Sequence, residues 1–107
     1  MSIPVKLTRT FTRPNTDVLF WAAADDTKAA INTAYVTTGK LLSVVRHVPV
    51  AGSLTQVIEY VFADIDSLDE FAADASLLSV VQERNAYNET HGITNAHTIE
   101  VLTETAQ

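Results

Sequence analysis

The chain has 107 residues, of which 47% are apolar, so it has the size of one domain and can bury a core of its own. It contains no cysteine, which excludes a disulfide framework, a thiolate metal site and a cysteine nucleophile. Seven basic residues against thirteen acidic ones give a net charge of −6, and this balance argues against binding to nucleic acid or to an anionic membrane surface. No apolar run approaches the roughly 20 residues that span a bilayer, and the N-terminus lacks the layout of a secretory signal. We therefore expect one soluble, cytoplasmic domain over residues 1–107.

The first predicted element is a β-strand over residues 3–13. Its apolar side chains alternate with polar ones, so that Val5, Leu7 and Phe11 share one face while lysine and threonine side chains occupy the other. Threonine is β-branched and suits a pleated surface, so the polar face still favours a strand. Because Pro14 cannot donate to the ladder, we expect the strand to end there.

A helical pattern follows over residues 17–38. Apolar residues such as Phe20, Ile31 and Tyr35 recur at three- and four-residue spacing, and Gly39 is the expected C-terminal stop. The polar stretch at residues 25–27 interrupts this pattern and could equally cap a second helix. One helix and two helices are both compatible with the sequence.

Two β-rich runs, residues 41–50 and 54–63, flank a short loop that contains Gly52. A loop of this length with a glycine predicts an antiparallel hairpin. The first run is apolar on nearly both faces, which leaves its register open. A slip of one residue would exchange the faces on which Arg46 and His47 lie.

The next segment predicts a helix with an interruption. Ser67 and Glu70 match a capping box, with serine at the N-cap and glutamate three residues later. A break is predicted at residues 74–76, after which an apolar stripe that also contains Arg84 continues until Gly92 ends the helix. A last alternating run over residues 94–103 predicts the final strand.

The predicted order of elements is therefore β-α-β-β-α-β. Right-handed crossovers place both helices on one face of a four-stranded antiparallel sheet, which is the α+β, ferredoxin-like arrangement. The opposite face is not uniformly polar, because in either hairpin register Val57 and Val61 lie there together with valines of the neighbouring strand. An exposed apolar patch favours an interaction site, and pairing two such faces about a two-fold axis predicts a homodimer.

Part of the sequence resembles a known superfamily. The run YVFADIDSLDEF at residues 60–71, the segment DASLL at residues 74–78 and the segment VQERN at residues 81–85 are similar to the dimeric α/β-barrel superfamily. That group includes antibiotic-biosynthesis-monooxygenase-like and stress-responsive barrel proteins. The resemblance implies a homodimer whose two sheets form a barrel, with a small cavity between sheet and helices in each subunit. It does not select one activity, since the superfamily includes cofactor-free oxygenases, lactone isomerases and haem-handling enzymes.

The three histidines are the only side chains that titrate near neutral pH without perturbation. His97 lies in phase with Ile99 and Val101, and if buried it would serve as a general base toward an acidic C–H or O–H group. The alternative is a core histidine that is hydrogen-bonded to a backbone carbonyl. His91 is expected at a helix C-terminus, where the dipole favours its cation. No residue spacing indicates a metal site.

Aromatic side chains are the other candidates. Trp21, Tyr35 and Tyr60, together with His47, would line a hydrophobic pocket for a ligand, although aromatics at helical spacing are also typical of a plain core. The sequence thus predicts a small homodimeric barrel protein with a hydrophobic ligand pocket and no cofactor. The alternative is a cofactor-free monooxygenase or isomerase acting on a small cyclic or aromatic compound. In that case His97 would accept the proton, and Tyr60 or Trp21 would orient the substrate.

Overall fold

A computed structural model describes residues 3–23, 25–47 and 49–102. The elements in chain order are β1 (Val5–Thr12), α1 (Thr27–Thr37), β2 (Leu41–His47), β3 (Thr55–Phe62), α2 (Ile65–Ala73), α3 (Ala75–His91) and β4 (Thr94–Val101). This order confirms the predicted β-α-β-β-α-β succession, with the second helical segment divided into α2 and α3. None of the helices in the described ranges is both long enough and apolar enough to cross a membrane.

The four strands form one sheet in the order β2-β3-β1-β4, and every neighbouring pair is antiparallel. Val5 pairs with Phe62 and Leu7 pairs with Tyr60, and all four side chains are buried on the face that the helices cover. Alternate residues of these strands lie on the opposite face, which no helix covers. The predicted ferredoxin-like fold is confirmed.

An aromatic cluster forms the centre of the core. Phe71 of α2 lies with its ring centroid 5.1 Å from that of Tyr35, 5.8 Å from that of Tyr60 and 5.2 Å from that of Phe62. These separations fall in the range in which aromatic pairs add stability beyond their buried area. One residue of α2 therefore joins α1 to the middle of the sheet.

The helix predicted over residues 17–38 begins only at Thr27, so the prediction is wrong for residues 17–23. There, side chains bind the backbone carbonyls that helical amides would otherwise use. Arg13 donates from Nη1 to the carbonyl of Val18 at 3.0 Å, and Tyr87 donates from its hydroxyl to the carbonyl of Leu19 at 2.6 Å. These tertiary contacts outweigh the helical pattern and hold the segment as an irregular flap over the sheet.

The N-cap of the second helical segment lies three residues before the predicted cap. Asp64, rather than Ser67, is the N-cap of α2, and its side chain accepts from the backbone amide of Ser67 at 2.8 Å. The predicted break is confirmed, because Asp74 ends α2 and caps α3 by accepting from the amides of Ser76 and Leu77. Gly92, with φ of 72°, ends α3 as predicted.

The hairpin register is settled by the pairing of Arg46 with Ile58 and of His47 with Val57. Arg46 lies on the helix-covered face and His47 on the opposite, open face. The open face also carries Val45, Val57 and Val61, as one of the two registers predicts. A bulge between Leu41 and Ser43 shifts the alternation of β2 by one residue and so places Arg46 on the same face as Leu41. Of the last predicted strand, residue 103 lies outside the described residues.

Candidate functional site

A cavity of about 250 Å³ lies between the helix-covered face of the sheet and the helices α1 and α3. The irregular segment before α1 closes one side of it with Phe20 and Trp21. Aromatic and aliphatic side chains from all three strands β1, β2 and β3 form its floor, including Phe11, Val44, Ile58 and Tyr60. A mostly apolar concave site with a few polar groups is typical of small-molecule binding sites.

Polar side chains reach the cavity from three elements, α1, α3 and β2. Lys28 and Asn32 are four residues apart on α1, and Arg84 and Asn88 are four residues apart on α3, so each pair lies on one face of its helix. Arg46 projects from β2 on the helix-covered face. Helical periodicity and strand alternation thus bring three cationic side chains to one apolar space.

Lys28 is the cation at the centre of the site. Its ammonium group donates to Asn32 Oδ1 at 2.9 Å and to the Tyr60 hydroxyl at 3.1 Å, and lies 4.9 Å from the centroid of the Tyr60 ring. Burial, and then the charges of Arg84 and Arg9, lower the pKa of Lys28 to about 8. Both hydrogen-bond partners are neutral groups, so neither compensates the charge.

Arg84 is buried, with only 8% of its surface exposed, and its guanidinium group lies 5.1 Å from the ring centroid of Phe11. Burial, and then the charge of Arg9, lower the pKa of Arg84 to about 10. Its Nε atom and the Nδ2 atom of Asn88 are buried and have no hydrogen-bond partner in the described part of the chain. Leaving a buried donor unpaired costs about 1–3 kcal/mol. Both residues line the cavity.

Arg46 is held by a different arrangement. With the Gln56 amide oriented to satisfy both groups, Arg46 donates from Nε and from Nη2 to the Gln56 side-chain oxygen, each at 3.0 Å. Gln56 is itself buried, at 6% exposure. Because a neutral oxygen is the acceptor, the positive charge of Arg46 is oriented but not neutralised.

Carboxylates pair with other cations in the described residues. Ion pairs join Lys6 to Glu59 and Lys40 to Glu70, and the imidazole of His47 also contacts Glu59, all outside the cavity. The carboxylate that does line the cavity is Asp25, against the three cations Lys28, Arg46 and Arg84. In a chain with a net charge of −6, this local excess of positive charge sets the cavity apart.

The structure brings two of the predicted site residues to the cavity. Trp21 lies in the irregular segment at one side, and Tyr60 lies on the floor beside Lys28. Burial raises the pKa of the Tyr60 hydroxyl, which therefore stays protonated at neutral pH. Both side chains occupy positions from which they would contact a ligand.

Three predicted site residues lie elsewhere. Tyr35 belongs to the core, and its hydroxyl donates to Asp74 Oδ2 at 2.9 Å. His47 lies on the open face, with Nε2 2.6 Å from Glu59 Oε2. His97 lies on β4 opposite Arg9, on an edge strand whose residues are all exposed, and it does not line the cavity.

Lys28, Arg46, Arg84 and Asn88 line the cavity and were not among the predicted site residues. A signal was present for Arg84, because an arginine within the apolar stripe of a helix either reaches solvent or serves a buried site. No group of histidine, aspartate and glutamate side chains in the described ranges has the arrangement of a metal site.

No protein-family model and no curated protein sequence matches the chain. Solved structures do. SnoaB, a cofactor-independent oxygenase from Streptomyces nogalater, is 15% identical over 97% of each chain, with a TM-score of 0.65. A protein from Deinococcus radiodurans, provisionally assigned as an antibiotic biosynthesis monooxygenase, is 13% identical over 96% of each chain, with a TM-score of 0.60. A dimeric ferredoxin-like protein from an uncultured marine organism is 13% identical, covers 98% of this chain and 100% of its own, and has a TM-score of 0.54.

These similarities establish the fold, since at such identities the chemistry of a site does not follow from the backbone. The chain has the ferredoxin-like fold of the antibiotic-biosynthesis-monooxygenase-like proteins. The resemblance noted in the sequence is confirmed at this level.

Proposed function

We propose that this small ferredoxin-like protein binds a compact hydrophobic molecule, of one or two rings, that carries an anionic or strongly accepting oxygen. The observation that supports this most strongly is that Arg84 and Asn88 line the apolar cavity while Arg84 Nε and Asn88 Nδ2 are buried without an acceptor in the described part of the chain. A carboxylate or phenolate would bring the oxygen acceptors that these donors lack, with small side-chain adjustments of Arg84 and Asn88. The charge of Arg84 would then gain the counterion that it lacks.

The shape of the cavity supports a ring-bearing ligand. Phe11, Phe20, Trp21 and Tyr60 supply flat apolar surface, and a volume of about 250 Å³ limits the ligand to a small molecule. Burying apolar area contributes roughly 25 cal/mol per Å², so ring contacts would supply much of the affinity. The three cationic side chains of the cavity would then favour a negatively charged ligand over a neutral one of the same shape.

Isothermal titration calorimetry with naphthoate and with naphthalenemethanol tests this proposal. The two probes share their rings and differ in charge, and we expect naphthoate to bind at least tenfold more tightly, since a charged hydrogen bond contributes about 1.5–3 kcal/mol. Trp21 is the only tryptophan, so its fluorescence reports whether the probe enters this cavity. Equal affinity for both probes would refute the role of the cations.

Two variants test whether the preference for naphthoate depends on the cavity. Arg84→Met should remove the preference for naphthoate while leaving the weaker binding of naphthalenemethanol. Lys40→Met is the matched control, because it removes one positive charge from an exposed lysine paired with Glu70, away from the cavity. If both variants lower naphthoate affinity equally, long-range charge and not the cavity determines the binding.

A second candidate is cofactor-independent oxygenation of a cyclic compound with an acidic C–H bond. The similarity in fold to the S. nogalater oxygenase supports it. One oxygen atom of dioxygen would enter the product and the other would leave as water, with the electrons supplied by the substrate C–H bonds. His97 lies outside the cavity, so Lys28 is the basic group that would accept the proton there.

Oxygen uptake with β-tetralone, in the presence of a metal chelator and isotopically labelled dioxygen, tests this candidate. We expect one labelled oxygen atom in each product molecule for the protein and background oxidation for Lys28→Met. Lys40→Met serves again as the control. Background rates for the unmodified protein would exclude this substrate class and leave binding as the function.

We also propose that two copies of the chain pair through the open face of the sheet. Val45, Val57 and Val61 lie on that face, and Val45 is 46% exposed. Sheets packed face to face would bury these valines. Native mass spectrometry should give twice 11.7 kDa for the protein. The mass should fall to that of a single chain for Val57→Glu but not for Leu78→Glu, a control at an exposed position on α3.

A further inference from the structure

Lys28 differs from the other two lysines of the chain in what surrounds its amino group. Lys6 lies 2.6 Å from a carboxylate oxygen of Glu59, and Lys40 lies 2.8 Å from one of Glu70. Lys28 has no carboxylate partner in the described residues. Its hydrogen bonds go to the neutral oxygens of Asn32 and Tyr60. The chain therefore holds two ordinary ion-paired lysines and one that is not stabilised as a cation by a counterion.

The amino group of Lys28 is also placed where a small molecule can reach it. It lies between the rings of Tyr60 and Phe71, 4.9 Å and 5.3 Å from their centroids, and lines both the main cavity and an adjoining cavity of about 100 Å³. Arg84 and Arg9 raise the cost of a further positive charge at this point. Desolvation and neighbouring cations are the two conditions that turn a lysine into a nucleophilic amine.

We infer that Lys28 is a nucleophilic amine that captures small hydrophobic aldehydes and ketones in the cavity as imines. The nitrogen lone pair attacks the carbonyl carbon, and the carbonyl oxygen takes up a proton to give a carbinolamine. Loss of that oxygen as water then forms the C=N bond, so carbonyl and amine yield imine and water without any oxidant or reductant. The Tyr60 hydroxyl, 3.1 Å from the amine, is placed to hydrogen-bond the oxygen as it leaves.

The fraction of the amine that is neutral determines how much faster Lys28 should react than the other lysines. With a pKa of about 8 against 10.5 for an unperturbed lysine, Lys28 has at pH 8 a neutral fraction on the order of 100-fold larger. A less basic nucleophile is intrinsically less reactive, which offsets part of this gain. We expect Lys28 to react about tenfold faster than an ordinary lysine of the same chain.

Reductive trapping with benzaldehyde tests the inference. The protein is incubated at pH 8 with benzaldehyde and sodium cyanoborohydride, which reduces the imine to a stable benzylamine, and the modified lysines are mapped by peptide mass spectrometry. We expect benzylation to accumulate about tenfold faster on Lys28 than on Lys6 or Lys40. Equal rates on the three lysines, or slower labelling of Lys28, would overturn the inference.

The pH dependence and one variant complete the test. The ratio of Lys28 labelling to Lys6 labelling should fall as the pH rises from 8 to 10, because Lys28 gains little further neutral amine while Lys6, whose pKa the Glu59 carboxylate raises, still gains it; the reduction step is common to both and cancels in the ratio. Lys28→Arg keeps the charge and should remove the fast site alone. This capture needs the cavity but not an anionic ligand. If naphthoate binds while Lys28 stays unreactive, only the present inference fails; if Lys28 is labelled while naphthoate does not bind, only the proposed anion preference fails.

Discussion

The effect of replacing Arg84 on the stability of the protein distinguishes a ligand-binding role of this residue from a structural one. Arg84 is 8% exposed, and among the described residues it has no carboxylate partner and its Nε has no acceptor. Desolvating a charge costs several kcal/mol, and in the described residues the contact with the Phe11 ring and a long hydrogen bond of 3.4 Å to Asn85 offset part of this cost. Methionine has a similar length and no polar atoms, so it would fill the same space without that cost.

We therefore expect Arg84→Met to make the ligand-free protein more stable. Relief of the buried charge is worth about 1–4 kcal/mol, and loss of the contact with the aromatic ring costs about 0.5–2 kcal/mol. The net gain in the free energy of unfolding is about 1 kcal/mol, which corresponds to a rise in Tm of about 4 °C. A group that lowers stability and is retained in a cavity is typical of a functional site.

Urea denaturation at pH 7 measures this change, with Arg46→Met as the comparison. Arg46 is paired with the buried Gln56 oxygen, so its removal strands that oxygen and should cost about 1–3 kcal/mol. The two arginine variants should thus shift the midpoint in opposite directions. A loss of more than about 1 kcal/mol for Arg84→Met would show that the guanidinium group is part of the scaffold and would refute the reasoning.

Three further predictions follow from other contacts. Because the folded-state pKa of Lys28 is depressed to about 8, the unfolded chain binds more protons between pH 8 and pH 10.5. The stability of the protein relative to Lys28→Met should therefore rise by about 2 kcal/mol over that window, as measured by urea denaturation; a flat difference would contradict the burial of this charge. Asp74→Ala removes the cap of α3 and the acceptor of Tyr35, and should cost about 2 kcal/mol, against about 1 kcal/mol for Tyr35→Phe, in thermal denaturation. Gly92→Ala should cost about 1 kcal/mol because φ is 72°, although the added Cβ meets only Pro14 at 3.6 Å; an unchanged Tm would refute the assignment of strain.

The sequence predicted the topology because each element carries a local signal. The alternation of Val5, Leu7 and Phe11, the break at Asp74 and the terminal Gly92 depend on short-range periodicity and backbone conformation, which residue order shows directly. The resemblance at residues 60–71 covers the strand-to-helix junction at which the core aromatics meet. The fold could therefore be predicted from the sequence.

The flap at residues 17–23 could not be predicted in the same way. Its composition suits a helix, and what prevents one is a pair of long-range donors, Arg13 and Tyr87, the second of which lies 68 residues from the carbonyl that it binds. Trp21 lines the cavity, but it does so from an irregular segment and not from the predicted helix. Tertiary hydrogen bonds of this kind leave no periodic trace in the sequence.

The charged part of the site was missed for a related reason. Lys28 and Arg84 fit an ordinary helical pattern in the sequence. They come together in one cavity only because α1 and α3 pack over the same strands. The bulge in β2 decides that Arg46 faces the cavity and His47 does not, and a bulge is not visible in an apolar run. His97 was predicted as a proton acceptor because histidine titrates near neutral pH. It lies on β4, an edge strand whose residues are all exposed.

The most direct test of the proposed site is to observe its unpaired donors while a ligand is added. Nitrogen-edited NMR of the Arg84 Nε–H and the Asn88 side-chain amide, during titration with naphthoate, reports on the two atoms that lack acceptors. We predict that both proton resonances move downfield in a saturable manner, with naphthalenemethanol producing a smaller shift. Unchanged Arg84 and Asn88 resonances under conditions in which calorimetry detects naphthoate binding would place the ligand elsewhere and contradict the proposed site.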